Sequence, residues 1–411
     1  MNPNHQPYRQ ARCGDLGADC GTLAALRSFG AAIFVAASLA ACGGGGGDRG
    51  AGTPAGAAPL VLATPVAAAP TLVAPPASQT VTAGAVAGFS VQASGRAPAT
   101  VGVKLPAELA GLTGRLAFLR TGRSQNARSG TLVLYDFGTR ALTAVSSAWP
   151  EVFYPKNPAF SPDGSMLVFA AYGDAAASEE DIFVWRVDST SPPVNLTPAS
   201  GQRNEDPKFS PDGTRIVFKR NGAIAMLRLA EPNVVVRLTG GAGAAEASQP
   251  SFMPGGTQVV FSVMTRAGDP ASQVIQMLDV DAAGVAAGQR QVADGPGLQA
   301  FFPVAWGPDR VLFTRWRSAT DQRDAIFGYR LSTLAQAPLA FNTPGCDNAD
   351  PFPADSQGPL VFYVDNCAGG AGGFDLVVGS VASGRRYPLS LFDPRLASSD
   401  DELGPVYSSR R

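Results

Sequence analysis

Four side chains that carry oxygen atoms stand directly before a proline that recurs along the chain: Asn157, Asp206, Gln249 and Asp350. Asn157 and Asp206 are 49 positions apart, and Gln249 follows 43 positions later. Carboxylate and amide oxygens hold Ca²⁺ or accept hydrogen bonds from a peptide. If the fold brings these residues together, they form a ligand or partner site. A purely structural interpretation stays open, because Asx-Pro pairs are common in turns.

The number of histidines and the net charge of the chain exclude several classes of function. The chain has one histidine, His5, in a segment that we expect to be removed. Without another histidine the mature chain cannot build a Ser-His-Asp triad or a histidine-bound metal centre. The 32 basic and 33 acidic residues leave no excess of positive charge for nucleic acid. We therefore predict that the protein is not an enzyme, and that it has no catalytic residues, no metal site, no cofactor and no nucleic-acid partner.

An apolar run of 13 residues, 29–41, ends directly before Cys42. The run is too short to span a bilayer and has the length of a signal-peptide core. Leu39-Ala40-Ala41-Cys42 resembles the bacterial lipobox, which implies that Cys42 receives a diacylglycerol and that cleavage removes residues 1–41. Inner-membrane lipoproteins of enteric bacteria carry Asp directly after the lipidated cysteine. This chain has Gly43 there, which implies an outer-membrane lipoprotein. We expect the protein to face the periplasm or the cell surface.

Composition divides the rest of the chain into three parts. Residues 42–78 are rich in Gly, Ala and Pro and contain too few large side chains to fold, so we predict a lipidated tether. Residues 79–113 alternate like strands and resemble the opening of bacterial Ig-like modules, but they are too few for a sandwich of about 100 residues. Residues 114–411 form a repeat domain.

The repeat begins at a proline and ends on an apolar strand. Its five units start at Pro158, Pro207, Pro250, Pro303 and Pro351, with spacings of 49, 43, 53 and 48 residues. The first two read PAFSPDGSMLVF and PKFSPDGTRIVF, a strand, a Ser-Pro-Asp-Gly turn and a second strand. Two further strands follow in each unit. Four strands per repeat of this length are typical of a β-propeller.

The two ends of the domain supply one more blade. GRLAFLR, residues 114–120, is a second strand with no first strand before it. Pro405-Val406-Tyr407 begins a unit 54 residues after Pro351 and has nothing after it. The two fragments complement each other. The sequence therefore predicts an all-β protein, a six-bladed propeller closed by its N- and C-terminal strands.

The repeat resembles that of TolB-type propellers, which carry (Phe/Trp)-Ser-Pro-Asp-Gly before an apolar strand with Phe. The resemblance covers residues 114–411. It implies a propeller face that binds a protein, as TolB binds the peptidoglycan-associated lipoprotein, although the α/β domain of TolB is absent here. We predict a monomeric, membrane-anchored envelope lipoprotein whose channel mouth binds a protein or glycan partner. The alternative is a calcium-dependent hydrolase of the sugar-lactonase type at the same mouth, which needs no histidine.

Cys346 and Cys367 are the remaining cysteines of the mature chain. Cys346 lies before the first strand of the last full unit and Cys367 lies after its second strand. In a propeller these two loops emerge on the same face. In an oxidising compartment we therefore predict a disulfide, which stabilises the fold by about 3 kcal/mol on the chain-entropy estimate.

Overall fold

The computed structural model describes residues 71–73, 92–94 and 105–410, apart from 123–129, 175, 199, 241–244, 294–296, 356–357 and 368–372. The predicted signal peptide, Cys42 and most of the tether lie outside the described residues. The chain divides into the propeller unit and a smaller unit of residues 18–104. In the smaller unit, β1 (Thr71–Val73) pairs antiparallel with β2 (Gln92–Ser94).

The propeller has six blades, each an antiparallel sheet of four strands. We label the strands in chain order and give each blade from its innermost to its outermost strand. Blade 1 holds β26 (Asp401–Ser408), β3 (Arg115–Thr121), β4 (Gly130–Asp136) and β5 (Leu142–Ala144). Blade 2 holds β6 (Phe153–Phe160), β7 (Met166–Tyr172), β8 (Asp181–Arg186) and β9 (Val194–Asn195). Blade 3 holds β10 (Asn204–Phe209), β11 (Arg215–Arg220), β12 (Ala223–Arg228) and β13 (Glu231–Arg237).

The remaining blades repeat this order. Blade 4 holds β14 (Glu246–Phe252), β15 (Gln258–Met264), β16 (Gln273–Val280) and β17 (Ala286–Ala293). Blade 5 holds β18 (Ala300–Ala305), β19 (Arg310–Trp316), β20 (Asp324–Arg330) and β21 (Ala335–Pro338). Blade 6 holds β22 (Asn348–Pro353), β23 (Leu360–Asp365), β24 (Asp375–Ser380) and β25 (Arg386–Pro388). Short 3-10 turns occur at Ala107–Leu109, Val145–Ala148, Pro270–Ser272, Leu389–Leu391 and Pro394–Leu396.

The predicted closure is confirmed. The C-terminal strand β26 is the innermost strand of blade 1, where it pairs with β3. Each innermost strand contacts the innermost strands of both neighbouring blades, so the six line a central channel. The propeller also extends N-terminally of Gly114, because Leu109 is fully buried in the core between blades 1 and 6.

The repeated phenylalanine of the second strand builds the core. An aromatic residue stands at the same position in the second strand of every blade and has no solvent exposure, a phenylalanine in blades 1 to 5 and a tyrosine in blade 6: Phe118, Phe169, Phe218, Phe261, Phe313 and Tyr363. A single blade cannot cover both of its apolar faces, so these rings are buried only when neighbouring blades pack face to face. This packing explains why a large aromatic residue recurs at this place in every blade.

The loops that enter the first strand of a blade and those that leave its second strand emerge on one face, which we call the mouth face. The predicted disulfide lies there. Cys346 and Cys367 are bonded, with their Cα atoms 5.9 Å apart. The bond ties the loop before β22 to the loop after β23, four residues from Asp350.

Candidate functional site

The four predicted site residues lie at equivalent places around the channel, in the first strands of their blades. Phe302 and Gly404 occupy the same place in blades 5 and 1. We call these six residues the ring. All six have left-handed backbone angles, with φ between 49° and 56°: Asn157, Asp206, Gln249, Phe302, Asp350 and Gly404.

The left-handed angle has a local cause. In blade 3, Glu205 pairs with Lys219 and Lys208 pairs with Val217, so β10 has one residue more than β11 between these pairs. The same register shift occurs at the ring residue of every blade. A β-bulge of this kind absorbs an extra residue by a turn into the left-handed region. The ring residues therefore lie inside the first strands, at bulges, rather than in the loops before them.

Side chains of the ring join neighbouring blades. Asn157 donates a hydrogen bond to Asp206, whose other carboxylate oxygen accepts from the backbone N–H of Gln249 at 3.2 Å. The side-chain oxygen of Gln249 accepts from the backbone N–H of Phe302 at 3.0 Å. Asp350 accepts likewise from Gly404 at 3.2 Å. The sequence pattern is compatible with a structural role and with a binding role, and these contacts show that the structural role is present.

A lysine occupies the channel beside the ring. Lys208 follows Asp206 by two residues, and its ammonium makes a long hydrogen bond of 3.4 Å to the carbonyl of Pro158. Burial lowers the pKa of Lys208 to about 8, although the carboxylates of Asp206 and Asp350 act in the opposite direction. Asp206 and Asp350 belong to opposite blades of the ring, so the ammonium lies within electrostatic reach of both sides of the channel.

This arrangement does not suit the calcium alternative. A bound cation at the ring would meet the Lys208 ammonium, and several ring oxygens already accept backbone hydrogen bonds. Among the residues that the structure describes, the one group of three close metal-ligating side chains is Cys346, Asp365 and Cys367. The disulfide uses both of these sulfur atoms.

A buried network of ion pairs, which the sequence analysis missed, lies next to the ring. Glu205, directly before Asp206, contacts the side chains of Lys156, Arg203 and Lys219 at 2.9–3.2 Å. Lys156 also bonds Glu180 at 2.8 Å, and Lys219 bonds Glu246 at 2.8 Å. The network spans blades 2, 3 and 4 and balances three cations with three carboxylates. Only its residue types are visible in the sequence, since its members lie up to 90 positions apart.

Blade 1 holds a buried carboxyl group at the mouth side. Glu402 has no solvent exposure and accepts from Arg120 Nε at 2.9 Å and from the Ser398 hydroxyl. Burial raises the pKa of Glu402 to about 7, although Ser398 and Arg120 lower it, and nearby Asp375 raises it further. The folded protein therefore binds a proton here at pH values where the unfolded chain has released it.

This shift predicts a pH dependence of stability. Between about pH 4.5 and pH 7 the folded state binds more protons than the unfolded state, so stability falls as pH rises through this window. We expect a loss on the order of 2 kcal/mol between pH 5 and pH 8 that Glu402→Gln removes. Urea unfolding of both proteins at the two pH values measures it. A wild-type profile as flat as that of Glu402→Gln would contradict the assignment.

Comparison with known proteins shows the fold. No protein-family model matches the sequence, and no curated protein matches it. Hydrazine synthase from Kuenenia stuttgartiensis aligns over 72% of this chain and 46% of its own, with 12% identity and a TM-score of 0.53. A chain named as TolB from Agrobacterium tumefaciens aligns over 68% of this chain and 89% of its own, with 16% identity and a TM-score of 0.47. A puromycin-hydrolyzing peptidase from Mycobacterium tuberculosis aligns over 63% and 48%, with 17% identity and a TM-score of 0.43. The predicted six-bladed β-propeller is confirmed as the fold.

The prediction that this chain is not an enzyme is wrong. A protein named as an enzyme, hydrazine synthase from Kuenenia stuttgartiensis, has the same fold, with a TM-score of 0.53 over 46% of its own chain. The prediction rested on the missing histidines, which exclude particular kinds of site and leave other chemistry open. Since the propeller fold occurs in enzymes, it gives no ground for excluding catalysis.

Proposed function

We propose that this protein is a lipid-anchored component of the bacterial cell envelope whose mouth face binds a protein or glycan partner. The observation that carries the proposal is the charge inside the channel. At the position of Lys208, blades 2, 5 and 1 have Ala159, Val304 and Val406. A channel that served packing alone would use such apolar residues throughout, because burying an ammonium costs free energy.

Site-specific photo-crosslinking in cells tests the binding face. Phe302 is half-buried at the mouth, and its replacement by benzoylphenylalanine keeps an aromatic ring at this position. We expect this position to crosslink to an envelope component. Thr214, exposed in the turn between β10 and β11 on the opposite face, is the matched control and should not give the same product. Equal products from both positions, or none from position 302, would contradict a partner at the mouth.

The anchor is part of the same proposal and rests on the sequence around Cys42. Among the residues that the structure describes, no helix has the length and hydrophobicity to cross a membrane. We expect labelled palmitate to enter the wild-type protein and not Cys42→Ser, and the wild type to fractionate with outer-membrane markers. Labelling of Cys42→Ser at the wild-type level would place the anchor elsewhere.

A further inference from the structure

Three blades carry an arginine at the same position, two residues after the repeated phenylalanine of the second strand. They are Arg120 in blade 1, Arg220 in blade 3 and Arg315 in blade 5. The residue directly opposite on the first strand is Glu402, Asn204 and Ala300, respectively. Each of these pairs lies at the mouth side of its blade, since the opposite residue precedes the ring residue by two positions.

Two of the three arginines have an acceptor. Arg120 Nε bonds the carboxylate of Glu402 at 2.9 Å, and Arg220 Nε bonds the side-chain oxygen of Asn204 at 2.8 Å. Arg315 faces the methyl group of Ala300, which accepts nothing. Arg315 is 9% exposed, and its Nε is buried without a hydrogen-bond partner. In the part of the chain that the structure describes, no ion pair involves Arg315.

The surroundings hold the Arg315 guanidinium in place without neutralising it. Its Cζ lies 3.8 Å from the centroid of the Phe327 ring, a stacking geometry that arginine favours. Burial lowers the pKa of Arg315, and none of the carboxylates that the structure describes offsets this effect. A buried charge without a partner is costly, so a group that supplies an acceptor gains more here than on an open surface.

We propose that Arg315 binds a carboxylate group of a ligand at the mouth face. The chain itself shows the chemistry that fits, because the carboxyl group of Glu402 occupies the equivalent place on Arg120. The ligand carboxylate would take the place on Arg315 that Glu402 takes on Arg120, with the stacked guanidinium donating to it. This inference rests on the proposed function for the location of the ligand, and it names the chemical group that the ligand carries.

Nitrogen NMR of arginine side chains in the full chain tests the site directly. Protein labelled with ¹⁵N-arginine is titrated with acetate, with acetamide, and with chloride at the same ionic strength. We expect the Arg315 Nε resonance, identified by its loss in Arg315→Gln, to shift in a saturable way with acetate alone. A linear shift, a shift equal to that with chloride, or no shift would overturn the proposal.

Two variants separate binding from folding. Ala300→Glu gives Arg315 an internal carboxylate like that of Glu402, so acetate binding should weaken at least tenfold while the resonance stays visible. Arg220→Gln is the matched control, because it removes an arginine that already has a partner. It should leave the response of Arg315 to acetate unchanged. An undiminished acetate response in a folded Ala300→Glu variant would overturn the site.

The source of the carboxylate follows from two further titrations. Trialanine carries a peptide carboxylate, and galacturonate carries a sugar carboxylate. The one that saturates Arg315 at the lower concentration identifies a protein or a glycan as the source. If neither saturates Arg315, a carboxylate site for a macromolecular ligand is overturned. None of these titrations uses an envelope partner, so their failure leaves the proposed binding function to its own crosslinking test.

Discussion

Deletion of residues 404–411 is expected to abolish the folded propeller at physiological temperature. The deletion removes Val406 and Tyr407, which are 3% and 7% exposed, and half of the residue pairs between β26 and β3. It also removes the hydrogen bond from the Tyr407 hydroxyl to the carbonyl of Thr113. Two large apolar side chains and a strand ladder together contribute about 5 kcal/mol or more, which is the whole stability of many domains.

Thermal unfolding followed by circular dichroism measures this effect. Deletion of Arg410 and Arg411 alone is the control, because it shortens the chain while keeping all of β26. The control should unfold within a few degrees of the wild type. If the 404–411 deletion variant unfolds cooperatively at the wild-type temperature, the stability of the propeller does not depend on its C-terminal strand.

Glu205→Gln is expected to destabilise the propeller by about 3–5 kcal/mol, the usual cost of removing one partner from a buried ion pair. Burial alone would raise the pKa of Glu205, but Lys156, Lys219 and Arg203 outweigh it and lower that pKa to about 2. The folded pKa is below the ordinary value, so this stabilisation is present above about pH 4.5 and is lost as pH falls toward 2.

Urea unfolding at pH 7 and pH 3 measures the effect and its sign. The difference in unfolding free energy between wild type and Glu205→Gln should be large at pH 7 and smaller at pH 3. Glu246→Gln is the matched control, because Glu246 bonds the same Lys219 with a side chain that is 39% exposed. Its cost should stay below about 1 kcal/mol. Equal costs for both variants would mean that burial of the network is unimportant.

Local patterns predicted much of this architecture. Turn chemistry and the apolar strand that follows it act within about a dozen residues, so Ser-Pro-Asp-Gly and its phenylalanine are readable without a structure. The repeat then required six blades, and blade geometry placed Cys346 beside Cys367. These predictions succeeded because a repeat protein applies the same local rule in every unit.

The roles of the charged residues depended on tertiary structure. The sequence indicated that Asn157, Asp206, Gln249 and Asp350 stand at equivalent positions, but not that each lies at a bulge or that ring side chains bond the next blade. The bulge is set by pairing between two strands, and the bond is set by packing between two blades.

The three arginines show the same difference between what the sequence determines and what the tertiary structure decides. The sequence determines that Arg120, Arg220 and Arg315 follow the repeated phenylalanine by two residues. Whether each has a partner is decided by the residue opposite on the first strand, which is 282 positions away for Arg120 and 15 for Arg315. Closure of the propeller brings Glu402 to Arg120, whereas pairing of β18 with β19 places Ala300 opposite Arg315. The contact between β26 and β3 exists only in the closed propeller, because only there do the two ends of the propeller domain share one sheet.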